Sequence, residues 1–216
     1  MYELLMKLML AGKLKFEHGK ILLTDRYMTW LPLDTLKIMT LDAEKKGKRG
    51  LMQLYFYAWH FGFITTLSYM RTFKTRPFEE TFKLIMDVAT MFGYGEYQTL
   101  DFKRKLFSKF KNIGNPFGLL FYPTPKKVCH FIRGANAGGG AALHGVIMNG
   151  IELECTANNN QYCLFMNVAN PLLESKYPEI TKEQLDLKWL LEKQLDVVKE
   201  NKLDPKSFLE FEKTLA

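Results

Sequence analysis

The stretch Gly150-Ile151-Glu152-Leu153-Glu154-Cys155-Thr156-Ala157-Asn158-Asn159-Asn160-Gln161-Tyr162-Cys163 decides the reading of this chain. Two β-prone runs, Ile151 to Cys155 and Tyr162 to Val168, flank three consecutive asparagines, a residue type suited to tight turns. The pattern predicts a hairpin that folds Cys155 and Cys163 toward each other. Upstream, Pro123 and Pro125 punctuate the entry to residues 126–146, which read as a helix despite Gly134, Gly138, Gly139, Gly140 and Gly145. Each glycine costs about 1 kcal/mol of helix propensity relative to alanine, so a tight contact with a sheet or another helix has to compensate.

Cys129 sits near the start of that helix, placed to present a thiol to the hairpin, and Glu152 adds a carboxylate. Zinc accepts three thiolates and a carboxylate in tetrahedral geometry. Residues 152 and 155 point to opposite faces of a regular strand, so this set requires a bulge or twist between them, and Glu154 competes for the place. The C-x7-C spacing is not a standard knuckle. By itself it leaves inert core thiols, a nucleophile and metal ligands all open.

Working outward, residues Tyr2 to Leu10 read as a short helix, and Lys13–Phe16 with Lys20–Leu23 as a hairpin about Glu17-His18-Gly19. A helix fits Leu33 to Lys46, with Leu33, Leu36, Ile38 and Leu41 facing inward, and Gly47 ends it. Gly50 to Tyr69 is apolar at i, i+3 and i+4 on most sides, as in a buried helix. Pro77 and Glu79–Glu80 open another helix running to Met91. After the Gly93-Tyr94-Gly95 break, Glu96–Lys105 and Leu106–Phe110 read as strands, and Asn112 to Pro116 as a turn. The tail, Thr181 to Val198, reads as one helix capped by Thr181, with Leu187, Trp189, Leu190 and Leu191 as its apolar stripe.

With 216 residues, 47% hydrophobic and 14% aromatic, the chain is long enough for a substantial core and disorder is not expected. The longest greasy run, Leu51 to Leu67, is interrupted by Gln53 and His60, so no membrane span is expected. Lys7 within the first ten residues, with no small-residue cleavage site after it, argues against a secretory signal and for a cytoplasmic protein. The net charge of +7 permits anionic partners, but the basic residues are scattered apart from Lys45–Arg49 and Lys103–Lys111, so nucleic acid is not an expected partner. Three cysteines cannot form a complete disulfide framework and are expected to be reduced thiols.

Val128-Cys129-His130, Gly134-Ala135, Gly138, the strand Gly150 to Cys155 and Asn160-Gln161-Tyr162-Cys163 together resemble the 4-vinyl-reductase domain family. The likeness is to the sensory modules of bacterial phenol- and toluene-responsive transcription activators. The run Lys20 to Met28 and the two helices after it also resemble the activators' N-terminal region. The likeness spans residues 13–170. It implies a zinc site formed by Cys129, Glu152, Cys155 and Cys163. It implies a mixed α/β (α+β) fold, an antiparallel sheet packed with helices, as in haem gas sensors and Golgi-trafficking tether subunits. It also implies a homodimer. Organised this way, residues 1–95 form a helical N-terminal region integral to the fold, 96–175 the 4-vinyl-reductase-like domain with the metal site, and 176–216 a helical tail. No ATPase module or DNA-binding segment is recognisable, so activation of transcription by the activators' route is not expected.

The function expected is a zinc-stabilised domain that binds or senses a small hydrophobic or aromatic molecule without catalysis. Phe56, Trp59, Phe61, Phe63, Phe82, Met86, Phe121 and Phe131 are the candidate walls of its cavity. Two rivals stand beside it: a vinyl reductase-like enzyme acting on a tetrapyrrole precursor, and a scaffold for an unidentified protein partner. No nucleophile-base-orienter set is recognisable. His130 reads as a helix-surface histidine, His60 and His144 as interior ones, and Gly138-Gly139-Gly140 as a packing surface rather than a phosphate cradle.

Overall fold

The computed structural model describes residues 2–29, 31–73 and 78–213. The chain opens with helix α1 (Tyr2–Leu10) and an antiparallel three-stranded sheet, β1 (Leu14–Glu17), β2 (Lys20–Leu23) and β3 (Arg26–Met28). Helices α2 (Leu33–Lys45), α3 (Gly47–Thr72) and α4 (Phe78–Met91) follow, and Pro77 lies outside the described residues. Then come β4 (Glu96–Lys103), β5 (Phe107–Ile113), the short α5 (Pro116–Leu120), α6 (His130–His144), β6 (Met148–Glu154) and β7 (Tyr162–Ala169). These four strands form an antiparallel sheet in the order β4-β5-β7-β6. The tail supplies α7 (Asn170–Lys176), α8 (Pro178–Gln184) and α9 (Leu187–Glu200). The fold is mixed α/β, an antiparallel sheet with helices packed on it.

Strand β7 reads Tyr-Cys-Leu-Phe-Met-Asn-Val-Ala, without polar alternation, because it is covered on both faces. Cys163 and Phe165 join the cluster around Cys129 and Ile132, whereas Met166 and Val168 join the one holding Leu190 and Val198. Helix α6 lies on the first of these faces and α3 lies on α6. A Cβ on Gly62 would fall 2.0 Å from the Ala135 carbonyl oxygen, one on Gly134 2.2 Å from that of Tyr55, and one on Gly138 1.9 Å from that of Trp59. The two backbones touch, which is the compensation the glycine-rich helix required. Trp59 adds a hydrogen bond from its indole N–H to the Met148 carbonyl, 3.0 Å, and stacks on Phe63 at 5.0 Å.

Two expectations are corrected. In α2 the buried stripe is Leu36, Thr40 and Ala43, with Leu33 half-buried, while Ile38 and Leu41 are exposed. At 100° per residue, 38 and 41 lie 200° and 140° around from 36, so both fall off the stripe. The stretch from Thr181 to Val198 is not one helix but the end of α8 and most of α9. Thr181 lies inside α8 and donates its hydroxyl to the Leu173 carbonyl, and the cap of the second helix is Asp186, which accepts from the Trp189 N–H at 3.1 Å. Leu190 is buried, but Leu187, Trp189 and Leu191 are half-buried, and the deep stripe is Leu190, Gln194, Val197 and Val198. Three short elements had no sequence reading: β3, α7, and α5, which begins at Pro116 where the expected turn ends.

Candidate metal centre and the cavity beside it

The hairpin of β6 and β7 turns through a 3-10 segment, Thr156–Asn158, and Asn159, whose φ is 59°. Asparagine tolerates this left-handed backbone better than most residues. On β6 the register slips: Glu152 faces Phe165 and Glu154 faces Leu164, two steps on one strand against one on the other. That bulge carries the Glu152 carboxylate and the Cys155 thiol to the same place. Cys129 occupies the N-cap position of α6, with no side-chain capping bond.

All four side chains are buried, and the ligand atoms of Cys129, Glu152, Cys155 and Cys163 lie within 4.8 Å of one another. The Cys129 Sγ is 3.8 Å from each of the other two sulfurs. Asn115 Nδ2 donates to the sulfurs of Cys129 and Cys163 at 3.3 and 3.2 Å, and its Oδ1 caps α5 by accepting from the Phe117 N–H. The Thr156 N–H donates to Cys163 at 3.3 Å. One Glu152 oxygen accepts from the Cys129 N–H at 3.2 Å, while Oε1 has no partner among the described residues.

The electrostatics are those of acids crowded out of water. Burial, together with the charge of Cys163, pushes the Glu152 carboxyl up to about 7. The Cys129 thiol is raised well above its ordinary value, first by burial and then by its hydrogen bonds to the other two cysteines. Hydrogen bonds from Cys129 and Cys155, then from Thr156, hold Cys163 down at about 3. Four acidic groups therefore share a dry site, where the raised ones keep their protons unless a cation draws them off.

Glu154 is half-buried and lies outside this group. His130 is not a surface side chain: it is half-buried, its Nδ1 faces the Arg133 guanidinium at 3.2 Å, and burial followed by that cation holds it down at about 3. Arg133 went unnoticed in the sequence. It is 1% exposed, stacks over Tyr55 at 4.9 Å, and donates to the Gln184 side-chain oxygen at 2.8 Å and to the Gln184 and Gly150 carbonyls. Among the described residues no carboxylate lies within ion-pair distance of it. Gln184 also brackets Glu152, accepting from its N–H and donating to its carbonyl, both at 2.9 Å. Asn115 carried one sequence signal, an asparagine before a proline at a helix start. Gln184 and Arg133 carried none.

Beside this centre lies a cavity of about 380 Å³. It is bounded by α6 (Phe131, Ile132, Asn136, Leu143), α3 (Phe61, Thr65, Tyr69), α4 (Phe82, Met86, Ala89), Tyr94 and Tyr97, and the Ile21 and Met28 edge of the small sheet. Ile132, Phe82, Met86 and Leu143 belong to the same apolar cluster as the three cysteines. Of the expected walls, Phe61, Phe82, Met86 and Phe131 line it. Phe56 instead meets Trp189 edge-on, Trp59 and Phe63 stack on each other in the core, and Phe121 lies under Lys37.

No protein-family model matches the chain, and no curated protein matches it in sequence. Among solved structures, the phenol-responsive sensory domain of the transcription activator PoxR, determined with phenol, superposes with a TM-score of 0.70. The two share one fold. They are 20% identical, and the match covers 86% of this chain and 98% of that one. A vinyl-4-reductase family protein from Methanocaldococcus jannaschii also matches, with a TM-score of 0.47, 17% identity, and coverage of 65% of this chain and 82% of that one. No helix among the described residues is long and apolar enough to cross a membrane.

Proposed function

We propose that this chain is a small-molecule binding or sensing domain that holds an apolar compound in its cavity and is stabilised by a zinc ion on Cys129, Glu152, Cys155 and Cys163. The cavity carries the reading. Its volume lies within the range of known ligand sites, and its wall is apolar with a few polar groups, the usual composition of such sites. An interior with no ligand to hold is normally close-packed. The PoxR sensory domain, whose fold this chain shares, was solved with phenol.

Three observations support the zinc. A tetrahedral ion with arms of about 2.3 Å sets its ligand sulfurs roughly 3.8 Å apart, which matches the spacing here. Glu152 Oε1 is buried and lacks a partner that an ion would supply. Three thiolates and a carboxylate on a divalent ion leave a net charge of about −2, and the buried Arg133, which has no ion-pair partner among the described residues, supplies a positive charge nearby. Sulfur-rich sets favour zinc over magnesium or calcium. With every position filled by protein, the ion ties β6, β7 and the start of α6 together and leaves no open position for substrate, so its role is structural.

The chain is further proposed to act without catalysis in the cytoplasm and to pair as a homodimer. The apolar faces of α3 and α6 cover each other, so pairing falls instead to the exposed Ile38, Met39 and Leu41 of α2. Light scattering separates a 25.2 kDa monomer from its dimer. The function itself is tested by metal analysis of fresh protein, melting before and after chelation, and thermal-shift screening with phenols, indoles and tetrapyrroles. About one zinc per chain and at least one stabilising compound are expected. No metal, with melting unchanged by chelation, overturns the zinc site. No stabilising compound overturns the sensing role.

A further inference from the structure

We infer that the ligand is a neutral compound of two to three rings, or equal bulk, carrying an oxygen that accepts a hydrogen bond from Asn136. This deepens the small-molecule reading and rests on it. Size comes first. A cavity of about 150 Å³ lined by aliphatic and aromatic side chains takes a single benzene. At about 380 Å³, this cavity is about 2.5 times larger, so one ring would leave much of its wall without contacts. The aromatic wall suits flat occupants, since Phe61 and Phe131 run nearly parallel, 28° apart at 6.4 Å.

Charge comes second. Among the described lining residues there is no aspartate, glutamate, lysine, arginine or histidine, and the nearby Arg133 is already taken by Gln184, Gly150 and Tyr55. An anion or cation entering here would lose its water and gain no partner, which penalises it heavily against a neutral compound of the same shape.

The anchor comes third. Asn136 lines the cavity, and its orientation is set by Tyr97, whose hydroxyl donates to the Asn136 Oδ1 at 3.2 Å. Its main-chain carbonyl is occupied by the Asn167 amide at 3.0 Å. That leaves the Asn136 Nδ2, a buried donor with no partner among the described residues, at the wall of an apolar space. A buried N–H left unpaired is unfavourable, so the compound that fits best carries a hydroxyl or carbonyl oxygen to meet it.

The test is titration of the zinc-loaded full chain with phenol, 2-naphthol, 9-phenanthrol, phenanthrene and naphthalene-2-carboxylate at pH 7.5, read by calorimetry or by quenching of tryptophan fluorescence. 9-Phenanthrol should bind at least about ten-fold tighter than phenol, and the carboxylate at least about ten-fold more weakly than 2-naphthol. Asn136→Leu, which keeps the bulk and removes the donor, should weaken 9-phenanthrol by about five-fold or more and leave phenanthrene within two-fold. Phenol binding as tightly as 9-phenanthrol overturns the size inference, and a tight carboxylate overturns neutrality. Equal effects of Asn136→Leu on phenanthrol and phenanthrene overturn the anchor. In each of these cases the sensing role survives, because something binds. If none of the five compounds binds to protein of normal zinc content and melting temperature, the binding reading itself falls.

Discussion

Helix α6 packs in two different ways along its two sides. Toward α3, at Gly134 and Gly138, the fit is so close that a single methyl group would collide with main-chain carbonyl oxygens. Toward α4 and the small sheet, residues of the same helix such as Phe131, Asn136 and Leu143 face a cavity of about 380 Å³. The contrast teaches that the space is not loose packing. A helix whose glycines cost about 1 kcal/mol each in propensity is held at backbone contact on one side, and that rigid contact is what lets the other side keep an opening.

The largest expected effect comes from breaking the tight side. Gly138→Leu drives a side chain into the Trp59 carbonyl and should lower stability by at least about 5 kcal/mol, read as loss of soluble protein or of a cooperative melt. Next comes the candidate metal centre at the N-terminal end of α6. Cys163→Ser should reduce zinc to a small fraction of one per chain and cost roughly 4 kcal/mol, about 10 °C in melting temperature for a chain of this size. A serine variant that keeps both zinc and melting temperature would show that the cysteines are ordinary core thiols.

The polar network behind that centre is third. Gln184→Leu removes the side-chain acceptor that Arg133 and the Glu152 N–H share, leaving a buried cation short of partners, at roughly 3 kcal/mol by denaturant unfolding. The C-terminal helices should loosen with it, seen as faster amide exchange in α8 and α9.

Acid probes the C-terminal end of α6. His144 is buried, its Nδ1 accepts from the Lys105 N–H at 2.9 Å, and burial followed by the Arg104 charge depresses it to about 4. A base depressed in the folded state binds fewer protons folded than unfolded. Its stabilising effect is therefore complete above pH 6.5 and is lost as pH falls toward 4, by about 2 to 3 kcal/mol. His144→Gln should flatten that slope. Glu152 acts with the opposite sign when no metal is bound. Its raised carboxyl favours the fold at low pH and loses that contribution as pH rises from 4.5 through about 7, so chelated protein should show a shallower acid limb than zinc-loaded protein.

The smallest effect on stability should follow from filling the open side. Ala89→Leu adds to the cavity wall the bulk that Gly138→Leu forces into the helix contact, yet melting should move by less than about 1 kcal/mol while ligand binding is lost. Equal damage from the two leucines would dissolve the distinction between the two sides of α6.

The local chemistry of the sequence determined the hairpin of β6 and β7, the course of α6 and the need for a close partner along its glycines, because asparagine turns, β-prone runs and helix-breaking residues act within a few positions of themselves. It also brought the three cysteines onto one short list with Glu152 or Glu154, and the family resemblance singled out Glu152, with the bulge it needed. Only the tertiary structure decided that Arg133 and Gln184 sit behind that group, since they are 51 residues apart and neither has a local signature. The same holds for the cavity. Apolar rings announce burial but not whether they interdigitate, and the chain divides them: Phe61, Phe82 and Phe131 border space, while Trp59 and Phe63 fill it. That division depends on where α3, α4 and the small sheet meet α6, a matter of long-range packing that no local pattern of residues encodes.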